Sequence, residues 1–446
     1  MFKKAVSYGL QHYLREGWLC HSRVQQLLAH EQLDVRGLTT LQRDMLRRTL
    51  VLASQRIPAY LKLRVPDTAD AIIPFLRESI PVVTKKDLIT ARQQYYPNGG
   101  IPRNWTILGK TSGTTGSPLD VFRSLNSVVW ENAFVRRHWR WSGFQPSMRR
   151  ATLRGEQVLG LDRITPPYWI FNRIDNQLLL STRHLSGDTA HLFSDAIRNF
   201  KPAILQAYPS TAYLLAQALQ RDDQRLTIPW VFTASEMLYP YQRALIEERI
   251  GRVMDFYGMA ERVAFAGECE FGNMHVNSDY SFVEILDEDN QPTDDEGFVV
   301  GTTFHNAFMP LVRYKLSDRT RWKQGVCKCG RYYPMIEPIS GKFEDLLFGS
   351  SGNAISPSII TFAFKGVANI SSSQVAQTGP ETWEVRVVPG PGYSDEDGER
   401  IIQNIHSSVD RGLTVTLVLR ETIQRTSAGK YRWVVNEWKT NQRLRV

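Results

Sequence analysis

The chain has 446 residues, 42% of them hydrophobic and 22% charged, a balance that excludes a disordered or fibrous protein and supports a large buried core. Lys and Arg outnumber Asp and Glu by 54 to 45, and the resulting net charge of +9 suits an anionic ligand without naming one; nucleic-acid binding would rest on that charge alone, which is not enough. No apolar run reaches the ~18–20 residues of a membrane-spanning helix, and 4 cysteines are too few for a secreted disulfide framework, so a soluble cytoplasmic protein without a membrane span is expected.

Residues 1–100 read as mostly helical, because Leu41, Met45, Leu46, Leu50 and Leu52 recur at helical intervals between arginines over Leu38–Leu63. The chain turns near Pro97–Gly100 and runs through Trp105–Leu108 into a Gly/Thr/Ser-rich stretch. Val129, Ala133, Phe134 and Trp141 then fit the buried face of one helix. This puts Trp139 and Trp141 in the core and leaves Arg136 and Arg137 on the solvated side, free to grip an anion or simply to face water. Strands are expected at Ala203–Tyr208, Trp230–Ala234 and Arg252–Tyr257, with helices over Pro209–Leu219 and around Tyr241–Ile250 between them. Such alternation implies parallel pairing with right-handed crossovers. Tyr208, Ser235 and Tyr257 would then emerge at the carboxyl edge of one sheet, where open α/β sheets bind ligands.

Beyond Glu268 shorter strands are expected at Ser281–Leu286, Phe298–Phe304 and Leu311–Tyr314. From about Ser340 a new unit begins. It has a helix-like Pro357–Val367, a strand at Trp383–Val388, a helix over Ser394–Val409 opened by a Ser394/Asp397 capping box, and a strand at Leu413–Leu419. From Gly341 onward there are 12 Lys/Arg against 11 Asp/Glu, so +8 of the net charge lies in residues 1–340. The expected organisation is a large α/β domain over 1–340 with mixed and parallel sheets, followed by a small α+β domain over 341–446.

Thr111-Ser112-Gly113-Thr114-Thr115-Gly116-Ser117-Pro118 packs glycines and hydroxyls into one loop. Glycines let backbone N–H groups converge on an anion, and hydroxyls add donors without bulk. Gly109-Lys110-Thr111 looks like the end of a Walker-type loop, but that motif needs a glycine where this chain has Asn104, and a helix directly after the Lys-Thr. The loop by itself admits two readings, a phosphate cradle and a plain flexible connection.

Three further segments accompany it: Tyr257-Gly258-Met259-Ala260-Glu261 at the end of the third strand, Asp318 within Val312–Thr320, and Lys430 within Arg425–Arg432. In this order and spacing the chain resembles the adenylate-forming superfamily of acyl-CoA synthetases and peptide-synthetase adenylation domains. It is most similar to the phenylacetate–CoA ligase-like branch, and the run Phe256–Cys269 resembles the CapK-type subgroup associated with capsular-polysaccharide gene clusters. The resemblance implies a large adenylation domain with a small mobile lid behind it. It implies an ATP-dependent, AMP-forming ligase that joins a carboxylic acid to ATP, releases pyrophosphate and passes the acyl group to CoA. An alternative acceptor is an amine, in surface-polysaccharide or natural-product synthesis, and a further alternative is a degenerate relative that only binds nucleotide.

By the same resemblance, Thr111, Ser112, Gly113, Thr114, Thr115 and Gly116 would wrap the β/γ-phosphates. Glu261 would hold Mg²⁺, Tyr257 and Gly258 would lie near the adenine, and Asp318 would accept hydrogen bonds from the ribose hydroxyls. Ser235 and Glu236 would contact the acid or the adenine, Lys342 would mark the hinge, and Lys430 would reach the carboxylate and α-phosphate. Three positions depart from the family pattern: Ser117 stands where many relatives carry Lys, Ala260 replaces a Thr or Ser, and Lys342 replaces an Arg whose bidentate fork it cannot reproduce.

Three of the cysteines are grouped with a histidine: Cys269, His275, and Cys327 with Cys329. Cys-x-Cys-Gly is a tight knuckle, and together these residues make a Cys₃His set of the tetrahedral, closed kind that structural Zn²⁺ prefers. The 51 residues between His275 and Cys327 exceed an ordinary zinc finger, which leaves two unrelated groups of free thiols as the other reading. Phenylacetate–CoA ligase-like proteins resemble this chain in that pattern. Cys20, in a helical segment, reads as a small buried hydrophobe.

Overall fold

A computed structural model describes residues 12–97, 106–110, 119–155, 158–160, 163–340, 347–355, 357–364, 367, 369–424 and 432–438. The chain divides into two compact units. One holds Met1–Thr111, Leu119–Gly143 and Phe256–Gly341; the other holds Ser112–Pro118, Phe144–Asp255 and Lys342–Val446.

The first unit opens with helices. The Asp34 side chain accepts the Gly37 N–H at 2.8 Å and starts Val35–Arg56, and the helix stops before Ile57 because Pro58 follows and disfavours helical backbone in the residue ahead of it. Leu46, Leu50 and Ala53 from this helix pack with Ile72, Leu76 and Ile80. Strands Thr106–Lys110 and Asp120–Ser124 form an antiparallel hairpin whose register pairs Lys110 with Asp120. The Gly/Thr/Ser stretch is therefore the connection between two paired strands; Thr111–Gly116 themselves lie outside the described residues.

The helix Leu125–Trp141 follows the hairpin, with the Ser124 hydroxyl accepting the Ser127 N–H at 3.1 Å. Val129, Ala133 and Phe134 pack with Cys20, Leu27, Phe265 and Tyr280, and Trp139 and Trp141 are buried as expected. Arg137 corrects the expectation of a solvated side. It lies four residues after Ala133 and four before Trp141, hence on the buried face. It is fully buried, and its Nη1 and Nη2 donate to the two Asp279 oxygens at 2.7 and 2.9 Å. Arg136 is also held, by an ion pair with Glu16 and a hydrogen bond to the Arg15 carbonyl.

The rest of this unit is antiparallel. The end of the strand Arg252–Gly258 pairs with Phe265–Glu268, which pairs with Met274–Val276, and that in turn with Met335–Ile336. A separate sheet joins Ser281–Leu286, Gly297–Thr303 and Tyr314–Thr320. The last of these begins where a strand over Leu311–Tyr314 was expected to end. Arg313, at φ 46°, interrupts the extended run, so Leu311 and Val312 are buried outside the strand.

In the second unit Trp230–Ala234, Ile204–Ala207, Arg150–Leu153 and Gln177–Leu180 are successive parallel neighbours, and Trp169–Asn172 closes that edge antiparallel. Helices Ala190–Phe200, Pro209–Arg221 and Pro240–Arg249 cover the sheet over a core that includes Phe193, Leu215, Val231 and Ile246. The alternation expected for 203–250 is present, and parallel. The strand Arg150–Leu153 has no apolar signature: it begins on a buried Arg150, whose Nη2 is satisfied by Gln177 Oε1 at 3.0 Å.

The chain passes from the first unit to the second between Gly341 and Lys342. Its C-terminal part is a four-stranded sheet in the order Thr414–Leu419, Thr382–Pro389, Ile370–Gln377, Val434–Asn436. The helix Asp395–Ser408 supplies Ile401 and Ile405 to a core with Trp383, Val385, Val387 and Trp433. The Ser394 N–H donates to Asp397 Oδ2 at 3.2 Å, as the capping box requires. Pro357–Val367 is a short helix Pro357–Ile360 that tightens into the 3-10 turn Thr361–Phe364. The protein is thus a mixed α/β fold with parallel and antiparallel sheets, and no described helix is long and apolar enough to cross a membrane.

A pH dependence follows from His305, whose Nε2 donates to the Asp279 carbonyl at 2.8 Å and whose ring centroid lies 4.3 Å from that of Trp130. Burial, reinforced by His30 and Arg23, pushes its pKa from 6.5 down to about 4 against the opposing pull of Asp279. The folded ring stays neutral where an unfolded one takes up a proton. Stability therefore falls as pH drops from 6.5 toward 4, by up to ~1.4 kcal/mol per pH unit. Urea unfolding at pH 7 and pH 5 should show a loss larger in the native chain than in His305→Gln, by about 1–2 kcal/mol.

Candidate functional site

The first unit places two tyrosines against two carboxylates. Tyr257 is the next-to-last residue of the strand Arg252–Gly258, and its hydroxyl donates to Asp318 Oδ2 at 2.7 Å. Tyr314 lies four residues before Asp318 on the same face of the strand Tyr314–Thr320, and its hydroxyl donates to Glu261 Oε1 at 3.3 Å. Asp318 is fully buried and Glu261 is only 8% exposed. Burial and the adjacent carboxylates push both phenols well above their ordinary pKa, so both remain hydrogen-bond donors.

Glu261 lies just past the end of the strand that carries Tyr257, and this segment is tied to the hairpin. Arg123 Nη2 donates to the Ala260 carbonyl at 2.6 Å, and burial lowers the Arg123 pKa to about 10. Gly109 makes the contact sterically possible: a Cβ there would lie 2.2 Å from the guanidinium carbon of Arg123. The hairpin that brackets the Gly/Thr/Ser loop and the segment bearing Glu261 are therefore fixed to each other. Tyr257, Gly258, Glu261 and Asp318 are the positions that the sequence motifs single out; Tyr314 and Arg123, which contact Glu261 and the segment carrying it, lie outside those motifs. Tyr314 carried a usable signal, since residues i and i+4 of a strand share a face.

Ser235 and Glu236 belong to the second unit. Ser235 follows the strand Trp230–Ala234 at φ 72°, a conformation unfavourable for a residue with a Cβ, and its Oγ accepts from Arg154 Nη2 at 3.0 Å. The Glu236 carboxylate accepts the Ser210 N–H at 3.0 Å and the Ser210 hydroxyl at 3.1 Å. It thereby satisfies an otherwise orphaned donor at the start of the helix Pro209–Arg221. Tyr208, at the end of the neighbouring parallel strand, is buried among Leu347, Ile355 and Ile359. Lys342 and Lys430, like Thr111–Gly116, lie outside the described residues.

The four zinc-candidate residues converge. The ligand atoms of Cys269, His275, Cys327 and Cys329 all lie within 4.8 Å of one another. Cys269 Sγ is 3.6 Å from Cys327 Sγ, and Cys329 Sγ is 3.3 Å from His275 Nε2. His275 Nδ1 donates to the Tyr333 carbonyl at 3.1 Å, so the lone pair is left on Nε2, the atom that faces the sulfurs. Gly330, at φ 77°, closes the knuckle. Next to it Arg331 pairs with Glu270 at 2.8 Å and stacks 4.4 Å over the Trp141 ring, and Asn273 Nδ2 donates to Cys327 Sγ at 3.1 Å. Three soft sulfurs and one oriented imidazole, most of them buried, fit a tetrahedral metal ion.

Comparison with known proteins points in one direction. Residues 347–437 match the family described as the CapK C-terminal domain. The chain is 24% identical to a phenylacetate–coenzyme A ligase of Thermus thermophilus over 91% of its own length and 98% of the relative's. It is 21% identical to the protein CapK of Staphylococcus aureus over 81% and 80% of the two chains. Its fold matches 2-hydroxyisobutyryl-CoA ligase, solved with 2-HIB-AMP and CoA in the thioesterification state, with a TM-score of 0.57 at 18% identity over 93% of this chain and 94% of that one. Over most of its length the chain is similar to phenylacetate–coenzyme A ligases and to CapK, and its fold matches that of the adenylate-forming acyl-CoA ligases.

Proposed function

We propose that this chain is an ATP-dependent ligase that activates a carboxylic acid as its acyl-adenylate and passes the acyl group to the thiol of CoA. The observation that carries the reading is the buried arrangement of Tyr257 with Asp318 and Tyr314 with Glu261, in a chain whose relatives include phenylacetate–CoA ligases. In the first step a carboxylate oxygen attacks the α-phosphorus of ATP, and the bond to pyrophosphate breaks. In the second a thiolate attacks the acyl carbon, and AMP leaves.

All the reactants are anionic, so the site must supply oriented positive charge and donors. Asp318 is assigned to the ribose hydroxyls as an acceptor, with Tyr257 fixing its second oxygen and lending a ring beside the base. Glu261, oriented by Tyr314, would hold Mg²⁺, which supplies charge neutralisation on the phosphates when bound. Backbone and hydroxyl donors of Thr111–Gly116 are assigned to the β/γ-phosphates, and Lys430 to the carboxylate and α-phosphate. Residues 341–446 would form the lid that delivers Lys430, hinged at Lys342.

ATP–pyrophosphate exchange across aryl, fatty and amino acids tests the reading. One acid class should support exchange, and Lys430→Ala should reduce it by ~10²–10³. AMP release that requires CoA supports the thiol as acceptor, whereas AMP release driven by an amine in its place moves the acceptor to amide formation. Bound ATP with no exchange for any acid would identify a non-catalytic relative.

We assign Zn²⁺ to Cys269, His275, Cys327 and Cys329. With four protein ligands the site has no open position, so the ion would be structural. Elemental analysis should find about one zinc per chain. Cys327→Ser should lose the metal and lower the melting temperature by about 5 °C or more, since it also frees the knuckle that carries Arg331 and Tyr333.

A further inference from the structure

The second unit contains cations that its own carboxylates do not answer. Arg183 lies in the 3-10 turn Thr182–His184, just past the strand Gln177–Leu180. Its Nη1 is the one terminal guanidinium nitrogen among the described residues that is buried with no hydrogen-bond partner. Burial alone holds its pKa below the usual arginine value, with no acidic neighbour pulling the other way. The side chain beside it, Thr182, is 1% exposed, and its Oγ1 is also buried without a partner.

One strand over, Arg154 follows Arg150–Leu153, which pairs in parallel with Gln177–Leu180. Its guanidinium donates to the Ser235 hydroxyl and lies 5.5 Å over the Tyr208 ring, and it forms no ion pair with a described carboxylate. The nearby Glu236 carboxylate is already engaged by Ser210. Folded chains pair their buried donors and compensate their desolvated charges. Here a desolvated guanidinium, an unmatched hydroxyl and a second arginine stand at the carboxyl ends of two adjacent parallel strands, the edge where such sheets receive ligands.

We infer that Thr182, Arg183 and Arg154 form an anion subsite for a carboxylate or phosphate group carried by the acid or by the acceptor, separate from the carboxylate that reacts. This deepens the ligase reading and rests on it for the identity of the carrier. If the group is on the acid, the substrate is a dicarboxylic or phosphorylated acid rather than a plain aryl or fatty one. If it is on the acceptor, a phosphate of CoA fills the subsite.

Calorimetric titration of the full chain without ATP tests this independently of turnover. The probes are glutarate and adipate against valerate and hexanoate, and CoA against 3′-dephospho-CoA. At least one doubly charged or phosphorylated probe should bind about tenfold more tightly than its counterpart. That advantage should fall about tenfold in Arg183→Met and be largely kept in Arg183→Lys, because the lost contact is a charge-assisted hydrogen bond. Preference among the acids places the group on the acid; preference for CoA places it on the acceptor. Should Arg183→Met not fold, Thr182→Val keeps the shape, drops one donor and should weaken the same probe severalfold. Equal binding of every pair, or an advantage that survives unchanged in a folded Arg183→Met, overturns the subsite. Pyrophosphate exchange together with equal calorimetric binding within every probe pair would keep the ligase reading and remove the subsite. A probe preference with no exchange would do the reverse.

Discussion

The buried pair Arg137–Asp279 is the constraint on which the first unit is arranged. Burial alone would raise the Asp279 carboxyl, but the guanidinium beside it holds it well below the usual carboxylate range. Both groups are fully buried, and further polar partners offset part of the cost of desolvating them. His30 Nδ1 reaches Asp279 Oδ2 at 3.0 Å, and the Tyr333 hydroxyl lies 2.7 Å from Arg137 Nη1. One ion pair therefore locks together the helix Trp18–His30, the helix Leu125–Trp141 and the segment just beyond the cysteine knuckle.

The proposed chemistry is built outward from that frame. Tyr333 also accepts, through its carbonyl, the proton that fixes the His275 tautomer. The knuckle, the N-terminal helices and the strand Phe265–Glu268 thus share a continuous set of polar contacts: His138 Nε2 donates to the Glu268 carbonyl at 2.8 Å, and Cys269 follows directly. A structural metal here would brace the base of the segment that carries Tyr257 and Glu261, without touching the reacting atoms. Arg123 performs the complementary task by fastening the hairpin to Ala260. Asp318 consequently sits on a paired strand and Glu261 in the turn just past one, a placement that would favour preorganised electrostatics in the proposed site.

Much of the middle of the chain was legible as sequence. Short apolar runs, prolines at helix starts and glycine punctuation locate Ile204–Ala207, Pro209–Arg221 and Trp230–Ala234 closely, because local propensity and tertiary role agree there. The strand Ile370–Gln377 escaped because Ser371, Ser372 and Ser373 give it no apolar alternation at its start. Arg137 was misplaced by the habit of assigning charge to solvent, although its spacing from Ala133 and Trp141 marks the buried face. Of the site, Tyr257, Glu261 and Asp318 could be named from their motifs, whereas Tyr314 and Arg123 lie outside any motif and act through contacts 53 and 137 residues away along the chain.

What the sequence determined by itself is what depends on neighbours along the chain: secondary-structure type, the fold class, the family resemblance and the identity of the residues that could hold phosphate, ribose or metal. What only the tertiary structure decided is which of those groups meet. Cys269 and Cys327 stand 58 residues apart, a spacing that by itself is weak support for a metal site over two stray thiol groups; folding brings the sulfurs to 3.6 Å. The unanswered guanidinium of Arg183 is likewise invisible in sequence. Whether a charge is paired depends on desolvation and on partners brought in by other strands, and neither quantity is encoded in local spacing.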